Sequence, residues 1–417
     1  MREMKDSGVE WIGEVPRTWR VERFKGLAIN VTEPIPQGSS LSVPLENVEP
    51  WTGKLIDAAT SEDSEGCAKG FCRGDVLFSK LRPYLAKVFC APCAGACSGE
   101  MLVLRPRGID SKFLSYYLMS PSTVDEINGL NFGAKMPRAD WNIVCNLRVP
   151  LPPIKEQRRI VSFLDGRCAV IDNDIDKRRE VIEKLKEYKK SLIAHAVTKG
   201  LDPNTEMKDG GVEWIGEVPL DWKVLYPKAL FCLRNERMRP GDIQLAASQE
   251  YGMISQSEFQ RLEGRRVVQV ILNPEILKHV EPGDFVMHMR SFQGGLEISG
   301  RAGCISSAYV MLHKRTDQVV NDFYKYLFKS SVYIDALRST SNLIRDGQAL
   351  RFANFIQVYL PLPPTETQEK IASFLDERCT KIDKAISRQK QLIEKLGEYR
   401  KSIIHHAITG KIDCTEA

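Results

Sequence analysis

The sequence predicts an α/β (α+β) protein in which two similar globular domains are separated by two long helices. The stretch MKDSGVEWIGEVP begins at Met4 and returns as MKDGGVEWIGEVP at Met207. A second stretch, VPLPPIKEQRRIVSFLDGRCAVID from Val149, resembles LPLPPTETQEKIASFLDERCTKID from Leu360. Each copy of the second stretch opens a run whose apolar residues recur every three or four positions, which predicts a long amphipathic helix.

The two copies differ in length between their repeated segments. The offset between them is 203 residues at Lys5 and Lys208, and 211 residues at Phe163 and Phe374. Each copy therefore has a similar start, a divergent middle and a similar end. One duplicated fold whose surface loops later diverged explains this pattern.

Strands and short helices are predicted at corresponding places in the two middles. Runs rich in apolar and β-branched residues predict strands at 75–79, 101–104, 284–287 and 308–312. Helical spacing of apolar residues predicts short helices at 113–119 and 323–328. Each middle has roughly 150 residues, the usual size of one domain.

The long helices are predicted to begin near Lys155 and Thr365, after a Pro-Pro pair that ends the preceding strand. Both carry a narrow apolar stripe with heptad spacing, and polar residues interrupt the two stripes at matching places. These interruptions are Arg178 and Lys189 in the first helix and Gln389 and Arg400 in the second. A single helix with one such stripe is not stable alone in water, so we expect the two stripes to pack on each other. The alternative is that each helix covers its own domain.

These patterns divide the chain into four segments. They are a first globular domain at 1–153, a helix and linker at 154–206, a second globular domain at 207–364 and a second helix at 365–417. The apolar runs are far shorter than the ~20 residues that a membrane helix needs. The start of the chain, MREMKDSGVE, is too polar for a signal peptide. We therefore expect a cytoplasmic protein.

The charge balance permits a nucleic-acid partner but does not demand one. The chain has 59 Lys and Arg against 54 Asp and Glu, a net charge of +5. Among its 11 cysteines, Cys90 and Cys93 have the CxxC spacing of a zinc site. The surrounding VFCAPCAGACSG favours the alternative that cysteine replaces small apolar residues there. The second copy has only Cys304 in this region, so we expect no metal site.

The repeated phrases resemble the specificity subunits of Type I restriction–modification systems. The resemblance covers the whole chain. It rests on the two VEWIGEVP starts, the two LPPxxEQ/TQ…FLD junctions and the two IEKLxEYxKSxIxHAxTxG helices. It implies two target-recognition domains that read the two halves of one bipartite DNA site, and an antiparallel coiled coil that sets their spacing. The duplicated architecture would then match the symmetry of a DNA duplex.

The resemblance also implies partners. Methyltransferase subunits, two of them, would dock near the VEWIGEVP segments, with restriction or translocase subunits as possible further partners. S-adenosylmethionine, and ATP with Mg²⁺ if a nuclease takes part, would bind to these partners, and no cofactor would bind to this chain. Two alternatives stay open for the repeated tryptophans of these segments, which either contact a partner or anchor the core. They are Trp11, Trp19, Trp214 and Trp222.

The chain lacks the motifs of the enzymes that it would serve. It has no GxxxxGK[ST] phosphate loop, and its Pro-Pro pairs lack the acidic or amide residue of an adenine-methyltransferase motif. We therefore expect a non-catalytic subunit without catalytic residues of its own. The complex would methylate adenine at N6 or act as a Type I restriction endonuclease. An alternative is a non-catalytic scaffold of another DNA-modification or phage-defence complex.

Two basic segments in each domain are candidate DNA contacts, because Arg, Lys and Gln read base edges and basic groups hold phosphates. FSKLRPYLAK offers Lys80, Arg82, Tyr84 and Lys87, and MHMRSFQGG offers Arg290, Phe292 and Gln293. The segments before the second repeat offer Lys135 and Arg138 in the first domain, and Arg345, Gln348 and Arg351 in the second. The alternative for each segment is a solvated basic turn.

Overall fold

The computed structural model describes residues 2–37, 41–56, 67–130, 137–264, 276–288, 291–340 and 350–414. The chain forms two compact units, of which the first comprises residues 1–179 and 389–417 and the second residues 180–388. Both division points lie within long helices. Each unit thus contains one globular domain together with part of each helix. The four segment boundaries predicted from the sequence stay a prediction.

The first globular domain is a mixed α/β structure. Its elements are β1 (Met4–Asp6), β2 (Glu14–Pro16), β3 (Arg20–Arg23), α1 (Phe24–Leu27), β4 (Ala28–Val31), β5 (Leu41–Val43), β6 (Cys67–Phe71), β7 (Val76–Ser79), β8 (Val88–Cys90), β9 (Gly95–Ser98), β10 (Met101–Pro106), α2 (Ser111–Leu118), α3 (Pro121–Gly129), α4 (Trp141–Val144) and β11 (Arg148–Leu151). An antiparallel sheet has the order β4-β10-β7-β8, and β9 lies between β5 and β6 in a second sheet. Helix α5 (Ile154–Lys199) follows.

The second globular domain has a similar arrangement with additional strands and helices in its middle. Its elements are β12 (Met207–Asp209), β13 (Glu217–Pro219), β14 (Lys223–Leu225), α6 (Pro227–Leu230), β15 (Phe231–Arg234), β16 (Leu245–Ser248), β17 (Gly252–Ser255), α7 (Gln256–Glu263), β18 (Lys278–Val280), β19 (Phe285–Met287), α8 (Ser291–Gly294), β20 (Glu297–Ile298), β21 (Gly303–Ile305), β22 (Val310–Lys314), α9 (Asn321–Leu327), α10 (Ser331–Ser339), α11 (Phe352–Phe355) and β23 (Leu360–Leu362). Its main sheet has the order β15-β22-β19-β20, which corresponds to β4-β10-β7-β8. Helix α12 (Thr365–Ile408) follows.

The predicted strands and short helices are present, with small shifts at their ends. Strands β7 and β19 begin one residue late because Asp75 and Asp284 close turns, each accepting a backbone N–H from three residues earlier. Strand β22 begins at Val310, two residues later than predicted, because Ser306 accepts the N–H of Tyr309 (3.1 Å) in a turn. The predicted fold class is confirmed.

The repeated opening motif folds as a hairpin in each unit. In the first unit β1 pairs with β2, and in the second unit β12 pairs with β13. Gly13 and Gly216 have φ values of +67° and +64°, a left-handed conformation that glycine adopts without a Cβ clash. The hairpin ends next to a fully buried tryptophan, Trp19 in one unit and Trp222 in the other, so these two residues anchor the cores.

Within the first unit, α5 and α12 pack side by side in opposite directions. Asp172 forms an ion pair with Arg400. Arg178, six residues farther along α5, donates to Gln389, which lies earlier in α12 (3.0 Å). The matching polar interruptions Arg178 and Gln389 are therefore in direct contact, and pairs of this kind fix the register of a coiled coil.

The second unit contains the corresponding pairing. Lys189 of α5 donates to both carboxylate oxygens of Asp383 of α12, each at 2.7 Å. Farther along α5, Val197 shares a core with Leu375, which lies earlier in α12, so the two helices are antiparallel here as well. Lys189 and Asp383 stand at the repeat positions of Arg400 and Asp172. The same ion pair thus occurs once in each unit, with its basic residue on the other helix.

The glutamine of each LPPxxEQ/TQ junction is buried and ties the long helix to its domain. Gln157 is 1% exposed, accepts the backbone N–H of Asp110 (2.8 Å) and donates to the carbonyl of Pro152 (2.8 Å). Gln368 is fully buried and accepts the backbone N–H of Val320 (2.9 Å). The junction motif therefore hydrogen-bonds the start of each long helix to the residue just before α2 or α9.

The aspartate of each FLD sequence completes this attachment. Asp165 accepts the hydroxyl of Tyr116 at 2.8 Å, and Asp376 accepts the hydroxyl of Tyr326 at 2.6 Å. Burial raises the pKa of both tyrosines well above the usual value of 10, so they donate as neutral phenols. None of the helices in the described residues is long and apolar enough to cross a membrane.

Candidate nucleic-acid interface

The structure brings the two basic segments of the first domain together. Lys80 follows β7, and its carbonyl accepts the backbone N–H of Ala139 at 2.8 Å. The backbone N–H of Arg82 donates to the carbonyl of Pro137 at 3.2 Å, and Leu81 forms an isolated bridge with Arg138. Segments separated by about fifty residues in the chain therefore form one surface, which we call the basic turn (residues 80–87 and 137–138).

Arg82 is the best-presented basic side chain of this turn. It is exposed, and no hydrogen bond or ion pair to its guanidinium is found among the described residues. Its backbone has φ +48° and ψ +61°, a left-handed conformation that is unusual for a residue with a side chain. Tyr84, in the short 3₁₀ helix Pro83–Leu85, is 45% exposed. The turn thus has both a basic and an aromatic side chain exposed to solvent.

Arg138 and Lys80 lie in more constrained surroundings. The guanidinium of Arg138 donates to both carboxylate oxygens of Glu100, at 2.7 and 2.5 Å. Lys80 is half-buried near Lys69, whose own ammonium donates to the carbonyl of Met101 at 2.9 Å. Burial, followed by the repulsion of Lys80, lowers the pKa of Lys69. Both bonds from Arg138 to Glu100 come from Nη2, so this pair orients the guanidinium of Arg138.

Lys87 is directed into the protein. Its ammonium donates to the carbonyls of Leu45 (2.8 Å) and Glu46 (3.3 Å), and burial lowers its pKa. It closes one side of an apolar cavity of about 280 Å³ whose other walls include Leu81, Leu85 and Pro137. The structure therefore gives Lys87 an internal bond, and its role as a DNA contact stays a prediction.

In the second domain the corresponding segment follows β19 and leads into α8. Phe292 is half-buried against the core, and its carbonyl accepts two bonds from Arg338 (3.3 and 3.0 Å). Gln293 is exposed. Gly295 has φ +78°, and a Cβ there would lie 2.1 Å from the carbonyl oxygen of Phe328, so the tight turn after α8 requires glycine. Among the described residues of this segment, Gln293 is a polar side chain that is presented to solvent.

Several predicted contacts lie outside the described residues. These are Lys135 in the first domain and Arg290, Arg345 and Gln348 in the second. Arg351 is described and exposed, and its backbone N–H donates to Asn354 at the start of α11 (2.9 Å). The role of Arg290 as a DNA contact therefore stays a sequence prediction.

Other arginines near the sheets are used to build them. Arg105 makes a bidentate contact with the buried Asp75, with both N–H···O distances 2.9 Å. Arg234 binds Asp284 in the same two-pronged manner, at 2.5 and 3.1 Å. These aspartates belong to the Gly-Asp pairs repeated in both middles. In each domain, an arginine thus binds an aspartate at its own sheet, so a basic side chain here does not by itself indicate a DNA contact.

The cysteine cluster of the first domain contains buried neutral thiols. Burial raises the pKa of Cys90 to about 11 and that of Cys97 to about 12, so both are protonated at neutral pH. Metal ligation requires the thiolate. Within the described ranges, no group of three or more His, Cys, Asp or Glu side chains is placed to hold a metal ion.

Comparison with known proteins identifies the architecture. Residues 67–185 match the family model described as the Type I restriction modification DNA specificity domain. Over 430 aligned positions the chain is 25% identical to the putative type I restriction enzyme MjaX specificity subunit of Methanocaldococcus jannaschii, covering 96% of this chain and 95% of that protein. It is also 26% identical over 187 residues to the EcoDI specificity subunit of Escherichia coli, covering 44% of this chain and 42% of that protein. The chain is thus similar over nearly its whole length to Type I restriction–modification specificity subunits.

Two solved structures have the same fold as this chain. A chain from a structure of the type I R-M system superimposes with a TM-score of 0.70 at 19% identity, covering 95% of this chain and 99% of that one. The HsdS subunit from Thermoanaerobacter tengcongensis gives a TM-score of 0.51, also at 19% identity, with 95% and 98% coverage.

Sequence reasoning missed a part of the chain that contacts the basic turn. Residues 47–56 of the first domain, including Trp51 and Lys54, connect the turn to α12. They carry no repeat and no periodic pattern. A tryptophan directly before Thr-Gly in a polar stretch was the available signal, since it marks a turn with an aromatic side chain.

Proposed function

We propose that this chain is a Type I specificity subunit that recognises a bipartite DNA sequence, one half-site with each globular domain, and directs methyltransferase subunits to it. The observation that carries this proposal is the contrast between a repeated framework and unlike exposed segments. The junction glutamines, the buried tryptophans and the Tyr–Asp contacts occur in both units. The basic turn of the first domain and the α8 segment of the second share neither sequence nor local structure.

Two domains with one framework and two different surfaces are suited to reading two different sequences. Base edges in the major groove carry sequence information, whereas phosphate contacts supply affinity on any sequence. In the first domain we assign the leading role to Arg82 and Tyr84, with Lys80 and Arg138 beside them. In the second domain Gln293 and Arg351 are the exposed candidates, together with the predicted Arg290.

The hairpin motif supports equivalent partner sites in the two units. Glu10 and Glu213 are exposed, and Trp11 and Trp214 are half-buried, at matching positions of the two hairpins. Core packing does not require an exposed glutamate to be the same in both copies. We propose that two methyltransferase subunits dock at these hairpins, and that restriction or translocase subunits join the complex through them.

The chemistry of the complex would then reside in the partners. We propose that this chain is non-catalytic and acts in the cytoplasm, and that S-adenosylmethionine and any ATP with Mg²⁺ bind to the other subunits. The product would be N6-methyladenine in each half-site, which requires the target base to leave the stack and enter the partner's pocket. Turnover of S-adenosylmethionine by the purified chain alone would refute the non-catalytic assignment.

The test of DNA recognition is Arg82→Ala in the complex reconstituted with its methyltransferase partner. If Arg82 contacts a base, the variant loses about 1–3 kcal/mol of binding and relaxes specificity within one half-site. If it contacts a phosphate, affinity falls on all sequences and the salt slope shrinks by about one. Arg107→Ala is the matched control, because Arg107 is an exposed arginine of the same domain outside the basic turn. Unchanged binding by Arg82→Ala would indicate that the segment is a solvated basic turn that does not contact DNA.

A further inference from the structure

A short loop of the first domain lies between the basic turn and the long helices. We call it the Trp51 loop (residues 47–56). Its two sides are joined by the N–H of Glu49 to the carbonyl of Lys54 (2.9 Å) and by the N–H of Ile56 to the carbonyl of Asn47 (2.8 Å). Trp51, at its tip, has φ +64°. The loop is therefore a closed hairpin with a left-handed residue at the end.

The Trp51 loop is bonded to the basic turn. The backbone N–H of Trp51 donates to the carbonyl of Ala86 at 3.3 Å. Lys87 reaches the residues just before the loop, through the carbonyls of Leu45 and Glu46. In the part of the chain that the structure describes, the non-glycine residues with positive φ are Trp51, Arg82 and Ala86. All three belong to this one connection, and such conformations persist where surrounding bonds enforce them.

The other side of the Trp51 loop is held by α12 and α5. Arg400 is 4% exposed, forms an ion pair with Asp172 and donates to the carbonyl of Thr52 at 3.0 Å. The ammonium of Lys401 lies 4.0 Å from the centroid of the Trp51 ring, a cation–π contact. Lys54 of the loop also reaches Asp172, at 2.6 Å. Arg400 therefore binds α5 through Asp172 and the Trp51 loop through Thr52 at the same time.

The second unit shows what the contact between the two long helices requires by itself. Lys189 occupies the repeat position of Arg400 and binds Asp383, the repeat equivalent of Asp172. In the described residues of that unit, Lys189 donates to no loop carbonyl. A lysine thus suffices for the ion pair between the helices. The planar fork of arginine allows two acceptors to be bound in fixed directions, which a lysine ammonium does not do with the same geometry.

We propose that Arg400 is a positioning residue for DNA recognition: through Thr52 and the Trp51 loop, it fixes the conformation of the basic turn that reads the first domain's half-site. This inference rests on the proposed function. It places a determinant of one half-site in the long helix, in a side chain that does not itself face DNA. The second half-site does not depend on it.

The test is Arg400→Lys in the full complex with the methyltransferase partner, measured by selection from random-sequence DNA. The substitution recreates the residue found at 189, so the pair with Asp172 remains and the melting temperature should match wild type. We expect selectivity to fall about tenfold, equivalent to roughly 1.4 kcal/mol, in the half-site that Arg82→Ala also affects. The other half-site should be unchanged. Lys189→Arg is the matched control and should alter neither half-site.

Wild-type selectivity in Arg400→Lys would overturn the inference and leave the proposed function intact. Equal weakening of both half-sites with a lowered melting temperature would also overturn it, since Arg400 would then be merely structural. A wild-type complex that selects no sequence would instead refute the proposed function.

Discussion

Replacing Gln157 by leucine tests whether the junction motif is a structural bracket. Leucine fills a similar volume but has no polar group. The substitution leaves the N–H of Asp110 and the carbonyl of Pro152 without the partners that they have at 2.8 Å each. Because Gln157 is 1% exposed, water has little access to replace both bonds without a rearrangement.

The expected loss follows from these two groups. A buried donor or acceptor left without its partner costs about 1–3 kcal/mol. Asp110 is only half-buried, so its N–H belongs at the lower end of that range. We expect the first unit to lose roughly 2–4 kcal/mol of stability against local opening, which increases the equilibrium constant for opening roughly 30- to 1,000-fold.

Hydrogen exchange measured by mass spectrometry locates this loss. Amides at the start of α2 and α5 should exchange faster in Gln157→Leu, since local opening controls their exchange. Peptides from the second unit should be unchanged. Gln368→Leu is the matched variant and should give the converse pattern at α9 and α12, because its side chain bonds Val320, Gln318 and Pro363.

A uniform increase in exchange across both units would contradict this reasoning. So would a change below about threefold in α2 and α5, since it would correspond to less than the cost of one unpaired group. In either case the motif would be read as a sequence requirement of a partner surface.

Two further predictions concern the second domain and the contact between α5 and α12. His279 is buried between Asp242 (2.8 Å) and Glu281 (2.9 Å), and although burial opposes its charge, these carboxylates raise its pKa above the usual 6.5. The charged His279 therefore contributes its full stabilisation below pH 6.5, and this contribution is lost as the pH rises through the raised pKa. The difference in urea stability between wild type and His279→Gln should shrink with rising pH. A difference that grows with pH would contradict this prediction. Replacing both Arg178 and Gln389 by leucine should raise resistance to urea but loosen the helix register, as mixed cysteine cross-links along α5 and α12 would show, whereas one unchanged cross-link pattern would contradict the register role.

The sequence was sufficient for the framework because its signals are local and occur twice. The heptad stripe predicted both long helices, and the contact of Arg178 with Gln389 confirms that the stripes pack on each other. The two repeats predicted two domains of one fold, and the sheets β4-β10-β7-β8 and β15-β22-β19-β20 confirm it. The buried Trp19 and Trp222 resolve an open alternative in favour of core anchors, whereas Trp11 and Trp214 keep part of their surface exposed.

The candidate site was less predictable because its geometry depends on contacts between distant residues. Sequence gave no reason to place Arg138 against Glu100 or to direct Lys87 toward Leu45. The bond from Arg400 to Thr52 joins residues 348 positions apart and, among the described residues, has no counterpart at Lys189, so neither spacing nor the repeat could indicate it. A basic residue in a loop has several possible anionic partners within its own chain, and the fold decides among them.

The most direct test of the central claim is sequence selection by the complex of this chain with its methyltransferase partner. Random-sequence DNA would be bound, recovered and sequenced, with methylated adenines mapped in the same pool. We predict two separate specific half-sites at a fixed spacing, one methylated adenine in each, and relaxation of one half-site alone by Arg82→Ala. One uninterrupted recognition sequence, or a simultaneous change of both half-sites in that variant, would contradict the assignment of one domain to each half-site.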